Sequence, residues 1–328
     1  MRIGVARRRR RAAPVAVALF LSVVAPALCL RGPAAEERTV VILQTSAYSA
    51  YTLATQSIRS ALETALPDVH LVAVVLPDQG EEAAAREALS QDCALIVAIG
   101  TRAARLARAE ARGRPLIYAM VLDPGEIGLP GPGELPRGNA TGVAMAVAPL
   151  SEFGLMRDIM PAIRRVGVLY DPLISGGAVR RAAAAAASAG IRLISQPVRS
   201  SAEVLDAARL LAPNVDAVLA VADPTVLTPA TTREFILFWL RSRKPLFGLS
   251  EGFVRDGALA ALVADPVEVG RSAGEIAVRV LRGTPISAIP PLPPPRLQTF
   301  LNRASSEHLG IKLPEALIAQ SQRTFPEP

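Results

Sequence analysis

The chain has 328 residues, 51% of them hydrophobic and 4% aromatic, with a formal net charge of +7. Its first 35 residues carry seven of the 36 basic side chains and no acid, which leaves 29 basic residues (36 − 7) against 29 acidic ones. A neutral body poor in aromatics has neither the electrostatic stripe nor the stacking platforms that nucleic-acid binding requires, so that class is set aside.

The chain opens on Arg2 and the run Arg7 to Arg11, followed by a largely apolar stretch from Ala12 to Leu30 that ends in small residues. This reads as a bacterial secretory signal, cut after Ala27 or Ala35, and places the mature protein in the periplasm. An uncleaved membrane anchor is the alternative, and Pro14 and Pro26 count against it. Lipid attachment at Cys29 is disfavoured by Leu28 in front of it, while the arginine run leaves the twin-arginine route open. Of the two cysteines only Cys93 survives cleavage, so an intramolecular disulfide is excluded and Cys93 is expected in the core.

From about Arg38 to Val147 the pattern predicts strand, helix (Leu53 to Leu66), strand, helix (Glu81 to Leu89), strand, helix (Ala103 to Ala111) and strand (Leu116 to Val121). A loop rich in glycine and proline follows from Asp123 to Gly138, then a strand from Ala140 to Ala148. The order then recurs about 125 residues later. Val40-Val41-Ile42-Leu43 returns as Val166-Gly167-Val168-Leu169, and Val69-His70-Leu71-Val72 as Ile191-Arg192-Leu193-Ile194. Ala94-Leu95-Ile96-Val97 returns as Ala217-Val218-Leu219-Ala220, and Arg114-Pro115-Leu116 as Lys244-Pro245-Leu246. Short apolar runs that each lead into a helix suit buried parallel strands joined by right-handed crossovers.

The predicted fold is therefore α/β, two similar doubly wound parallel-sheet lobes facing across a cleft. Trp239, within Glu234 to Leu240, reads as a helix packed on the second sheet. Beyond the duplicated units come a strand within Arg255 to Asp265 and a helix from Pro266 to Leu281, both expected to return to the first lobe. Ile289 to Leu301 and a helix from Pro314 are expected to cross back, which makes a three-crossing hinge. The implied lobes are 38–147 with 262–284, and 148–261 with 285–320, leaving 321–328 as a tail.

Several segments carry a resemblance over about Val40 to Ile318. They are Leu95-Ile96-Val97-Ala98-Ile99-Gly100-Thr101, Asn139-Ala140-Thr141-Gly142-Val143, Val166 to Pro172, Asp223-Pro224-Thr225-Val226, Asp256 to Ala260, Val269-Gly270 and Leu309 to Pro314. In this order they resemble the ABC transporter substrate-binding protein family of type I periplasmic-binding fold, which includes tryptophan-binding proteins of gram-positive bacteria. The chain departs from that family at Tyr48-Ser49-Ala50-Tyr51, where a His-Pro turn is usual, and at Pro224, where an asparagine is common.

Open parallel sheets bind ligands beyond the carboxyl ends of their strands, and the family places its contacts there too. The first lobe then offers Thr45, Ser46 and Tyr48, Gly100 and Thr101, and Asp123. The second offers Tyr170, Asp171, Asp223, Thr225, Ser250 and Glu251, and the return strand delivers Asp265. Gly100-Thr101 at a helix entrance suits a carboxylate or serves as an ordinary cap. The acids suit an ammonium or hydroxyl group, yet Asp171-Pro172, Asp223-Pro224 and Asp265-Pro266 are equally turn and helix-start signatures. Tyr48 and Tyr170 are placed to stack on a planar ligand or to serve as half-buried structure.

The resemblance implies an extracytoplasmic receptor that captures an amino acid or similar small molecule and delivers it to an ABC permease, without a cofactor. The alternative is a periplasmic sensor or interaction module signalling to a membrane partner. Membrane contact would run only through that partner or an uncleaved leader. Two histidines, His70 and His308, with no nucleophile elbow, metal-ligand spacing or phosphate loop, argue against an enzyme.

Overall fold

A computed structural model describes residues 38–77, 82–228 and 230–327; the predicted leader and both candidate cleavage sites lie outside them. Nearly continuous apolar runs form the first-lobe strands. They are β1 (Thr39–Gln44), β2 (His70–Val75), β3 (Leu95–Ile99), β4 (Leu116–Val121) and β5 (Ala140–Ala144), all parallel, in the order β2-β1-β3-β4-β5. Helices α1 (Ser49–Ala65), α2 (Ala83–Ser90) and α3 (Thr101–Glu110) connect them. Central position explains the composition: Val40 to Leu43 and Leu95 to Ile99 are sealed on both faces, as a doubly covered parallel sheet demands.

The second lobe comprises α4 (Pro149–Ile159), β6 (Arg165–Tyr170), α5 (Gly176–Ser188), β7 (Arg192–Pro197), α6 (Val204–Leu211), β8 (Ala217–Leu219) and α7 (Thr232–Arg241). It continues through β9 (Leu246–Gly248), α8 (Glu251–Arg255) and β10 (Ala260–Ala264). After α9 (Pro266–Leu281) come β11 (Leu297–Asn302), α10 (Arg303–Leu309), α11 (Glu315–Gln320) and β12 (Arg323–Phe325). The second sheet runs β12-β11-β10-β9-β8-β6-β7. Its β7-β6-β8-β9-β10 portion repeats the first sheet's order, so the duplication has five strands per lobe.

Two expectations are corrected here. The strand in Arg255 to Asp265 does not return to the first lobe: β10 pairs in parallel with β9 and antiparallel with β11, inside the second sheet. The tail is not outside the fold either, because Arg323–Phe325 forms the edge strand β12 beside β11. What returns is α9 alone. Its Val269, Ala273, Ile276 and Ala277 share the first lobe's core with Ala54, Ile58 and Leu62 of α1. Gly270 and Gly274 permit that approach, since a Cβ on Gly270 would meet the Ala54 carbonyl oxygen at 2.4 Å and one on Gly274 the Ala61 Cβ at 2.6 Å.

The same plan holds in the other direction. Each fifth strand crosses the hinge into a helix opened by proline, and that helix packs on the first helix of the opposite half. Thus β5 leads to α4, whose Phe153 and Met156 share a core with Ala182 and Ala186 of α5, while β10 leads to α9 on α1. A third crossing follows Ile286 and Ile289, which lie in the first-lobe core, and a Leu292 bridge to Val143. Thr141 Oγ1 donates to the Ile289 carbonyl at 2.7 Å within this hinge. Trp239 is fully buried in the second-lobe core.

Candidate functional site

In the first lobe the loops after β1 and β3 are built against each other. Thr45 N–H donates to the Ile99 carbonyl at 2.9 Å, and its hydroxyl accepts from Ala103 N–H at 3.1 Å, which caps the first turn of α3. Gly100 sits between them at φ +86°, where a Cβ would lie 2.5 Å from Thr45 Oγ1 and 3.0 Å from the Tyr51 ring. Only glycine fits this position. Among the described residues the Thr101 and Arg102 N–H groups meet no acceptor, so the entrance of α3 presents two donors and the positive end of the helix dipole.

Gln44 at the end of β1, 5% exposed, organises the neighbouring turn. Its amide donates to the Ser46 carbonyl at 2.6 Å and accepts from Thr55 Oγ1 at 2.6 Å. Tyr48 is exposed at the start of α1 and meets Tyr51 edge-on, ring centroids 5.8 Å apart. Burial, with the neighbouring Tyr48, pushes the Tyr51 hydroxyl up from its ordinary value.

At the end of β4 the chain bulges: the register with β5 shifts between Ala119 and Val121, and Met120 adopts φ +56°. The turn that follows presents Asp123, whose Oδ1 accepts from Gly125 N–H at 3.0 Å and whose Oδ2 pairs with Arg181 on α5 at 2.7 Å. Asp123 therefore joins the two lobes. Glu126 stands beside it and is raised by burial and by the Asp123 charge, with Arg181 and Arg105 acting in the opposite direction.

The second-lobe loops close upon themselves. Asp223, 1% exposed, accepts from Asp171 N–H at 2.6 Å, from Ser175 Oγ at 2.5 Å and from Thr225 N–H at 2.9 Å. Asp171 in turn accepts from Leu173 N–H at 2.9 Å and Thr225 Oγ1 at 3.0 Å. Three of these five hydrogen bonds weld the loop after β6 to the loop after β8, and the other two shape each loop by itself. Ser250 caps α8 by accepting from Phe253 N–H at 3.4 Å, and Glu251 pairs with Arg323 on the edge strand. Asp265 caps α9, its Oδ1 accepting from Val267 N–H at 3.0 Å and Glu268 N–H at 3.4 Å, with Arg296 at 3.9 Å. Tyr170 ends β6 partly exposed.

The strand ends thus bring Thr45, Ser46, Tyr48, Gly100, Thr101 and Asp123 together on the first-lobe rim, and Tyr170, Asp171, Asp223 and Thr225 on the second. The carboxylates of Asp171, Asp223 and Asp265 serve their own loops, while Glu251 turns to the sheet edge. Gln44, Tyr51 and Ser175 were not among the sequence candidates. Gln44 and Ser175 lie one and four residues from chosen positions and act through partners that periodicity does not reveal.

Two facing lobes with this strand order agree with what known proteins show. Residues 77–325 match the ABC transporter substrate binding protein family. The chain belongs to this family. The family is one of binding proteins rather than enzymes. A tyrosine-binding protein of Clostridioides difficile is 26% identical over 198 residues, 60% of this chain; the chain spans 57% of that protein, under two thirds of its length.

Among solved structures, an ABC domain from Streptococcus pneumonia in complex with L-Trp superposes with a TM-score of 0.69. It has 22% identity and covers 88% of this chain and all of that one. A ligand-free, open substrate binding protein with adhesive properties from Clostridium difficile gives 0.74 at 20% identity, covering 87% and 98%. These likenesses establish a type I periplasmic-binding α/β fold for this substrate-binding chain.

Proposed function

We propose that this chain is an extracytoplasmic solute receptor that closes on an amino acid or similar small molecule and delivers it to an ABC-type permease. The family match over residues 77–325 carries this reading and favours transport over a sensor module. The arginine-led apolar segment at the start of the chain is consistent with export, and no helix of the described residues is long and apolar enough to cross a membrane.

Ligand binding begins on the first lobe. The free N–H groups at Thr101 and Arg102 receive a carboxylate, and the Tyr48–Tyr51 edge borders the planar part of the ligand. Tyr170 approaches from the second lobe as the hinge closes, with Thr45, Ser46 and Thr225 lining the rim. Asp171, Asp223, Ser250 and Asp265 position these loops from behind. Contacts made to both lobes only in the closed form shift the population towards it, and the closed surface is what a permease recognises.

Thermal unfolding of the chain from Glu36 onward, against amino acids, nucleobases, vitamins and small acids, tests this reading. A ligand at a hundred times its dissociation constant stabilises the native state by about 2.7 kcal/mol. L-Tyr and L-Trp come first, since relatives are seen with or named for them. A clear upward shift with one chemical class supports the receptor. A folded, ligand-free preparation that responds to nothing in the panel overturns it.

A further inference from the structure

The first lobe holds a cavity of about 340 Å³ at the amino ends of its strands, where Leu116 and Ala140 open β4 and β5, opposite the rim described above. Its walls are the end of α3, the turn after it and the long loop between β4 and β5. Arg108, Arg112, Arg114 and Arg137 line it, and no acid does. A concavity bearing one sign of charge concentrates the opposite charge within it.

The four guanidinium groups are not equivalent. Arg114 is structural: it donates to the carbonyls of Leu89 at 2.7 Å, Gln91 at 3.0 Å, and Glu110 and Ala111 at 2.9 Å each. It thereby satisfies the last carbonyls of α3, so Arg108 and Arg112 are not needed for that task. Among the described residues Arg108, Arg112 and Arg137 have neither an acceptor nor an ion-pair partner. The acids closest along the chain are engaged elsewhere, Glu110 with Arg86 and Glu134 by accepting from Gly131 N–H at 3.3 Å.

Backbone geometry holds two of the three in place. The Arg108 guanidinium lies over Gly128, at φ +68°, where a Cβ would stand 2.8 Å from its Nη2. Any side chain at that position would displace it. Arg112 follows α3 at φ +49°, a left-handed conformation that suits glycine and is costly for arginine. Asn139, another wall residue, is fixed by its amide donating to the Gly113 carbonyl at 2.5 Å.

Guanidinium forks match carboxylate and phosphate oxygens, but a planar carboxylate is saturated by one or two forks, whereas a tetrahedral phosphate offers oxygens to three. We propose that this cavity binds a phosphate group, with Arg108, Arg112 and Arg137 as donors and Arg114 as the fixed wall behind them. The group belongs to a soluble phosphate or to an anionic lipid headgroup, and its recognition is the same in both. This site is separate from the solute cleft and does not depend on it.

The test uses the chain from Glu36 onward, so that the arginine-led leader does not contribute. Calorimetry measures inorganic phosphate and glycerol 3-phosphate, with acetate at equal ionic strength as the carboxylate control. Flotation with phosphatidylglycerol vesicles, beside phosphatidylcholine ones, separates the two sources. Arg108→Gln and Arg137→Gln are each expected to weaken binding about tenfold. Arg112→Gly should lose the same factor while melting no lower than wild type, since its position suits glycine. Arg241→Gln on α7, in the second lobe, removes the same charge and should change nothing.

Saturable binding of a soluble phosphate that falls in the cavity variants supports the site and assigns it to a free phosphate. Capture by phosphatidylglycerol vesicles alone, falling in the same variants, supports it and assigns a headgroup. Binding of neither overturns the proposal, as does acetate bound as tightly as phosphate. A loss in Arg241→Gln equal to that in Arg137→Gln overturns it too, because net charge then explains the effect. Each of these results leaves the receptor reading standing.

Discussion

The two lobes share one chain order but treat the polar groups at their strand ends differently. In the second lobe Asp171, Ser175, Asp223 and Thr225 satisfy one another across two loops. In the first, Thr45 and Gly100 hold the entrance of α3 in shape and leave two N–H donors facing outward. A closed network fixes loop position, while unengaged donors stay available to a ligand. In the receptor proposed above the first lobe is the seat and the second a preformed wall that closes onto it.

The hinge helices allow the hardest test of this asymmetry. Gly270→Ala places a methyl against the Ala54 carbonyl and is expected to cost about 1–3 kcal/mol in chemical denaturation, since backbone cannot yield as a side chain does. Gly154→Ala in α4 meets nothing within 4 Å and should gain about 0.5–1 kcal/mol from helix propensity alone. Equal effects at the two sites would show that Gly270 is not held against the backbone of α1.

Next in size is the loop network. Asp223→Ala leaves the Asp171 and Thr225 N–H groups without their acceptor in a nearly sealed site and is expected to cost on the order of 2 kcal/mol. Thr101→Ala, on the open first-lobe rim, should leave stability within about 0.5 kcal/mol. A large loss at Thr101 and none at Asp223 would reverse the roles given to the two rims.

Titration separates Glu152, in the first turn of α4 and raised by burial, from both. With its folded value raised to about 8 from 4.5, Glu152 favours the native state below pH 4.5, where both states are protonated. Its contribution is lost as pH rises through about 8, because the unfolded chain ionises first. The loss is on the order of 1–4 kcal/mol, and Glu152→Gln should flatten that part of the stability-against-pH curve. A curve identical in wild type and variant would place Glu152 in open water.

The smallest effect belongs to the one cross-lobe ion pair named above. Asp123 and Arg181 are partly exposed, so a double-mutant cycle should give about 0.2–1 kcal/mol of coupling, lower at high salt. That coupling acts on lobe closure, and it should vanish in a form held open.

Much of this was legible in the sequence, for identifiable reasons. Val40 to Leu43, Leu95 to Ile99 and Val166 to Leu169 are sealed strands, and sealed parallel strands announce themselves as unbroken apolar runs. The Pro266–Leu281 helix was bounded by its own proline and the glycine after it. The fifth repeated strand was missed because a loop of glycine and proline precedes β5 while a short helix precedes β10, so their surroundings do not match. Arg323-Thr324-Phe325 is too short and mixed to signal a strand, and only pairing with β11 makes it one. Asp171 and Asp223 were found as turn residues, but their bond joins positions 52 apart, which no local pattern encodes. Glu152 carried no sequence signal, because its raised value comes from burial that only the folded chain creates.

The most direct test of the central claim is the distance between the lobes with and without ligand. Spin labels at Glu63→Cys on α1 and Ala184→Cys on α5, in a chain whose buried Cys93 is replaced by alanine, report it by pulsed electron resonance. The account predicts a distribution that shifts and narrows to one closed distance when the amino acid that raises the melting temperature is saturating. An unchanged distribution, with that ligand shown to be bound, would contradict it.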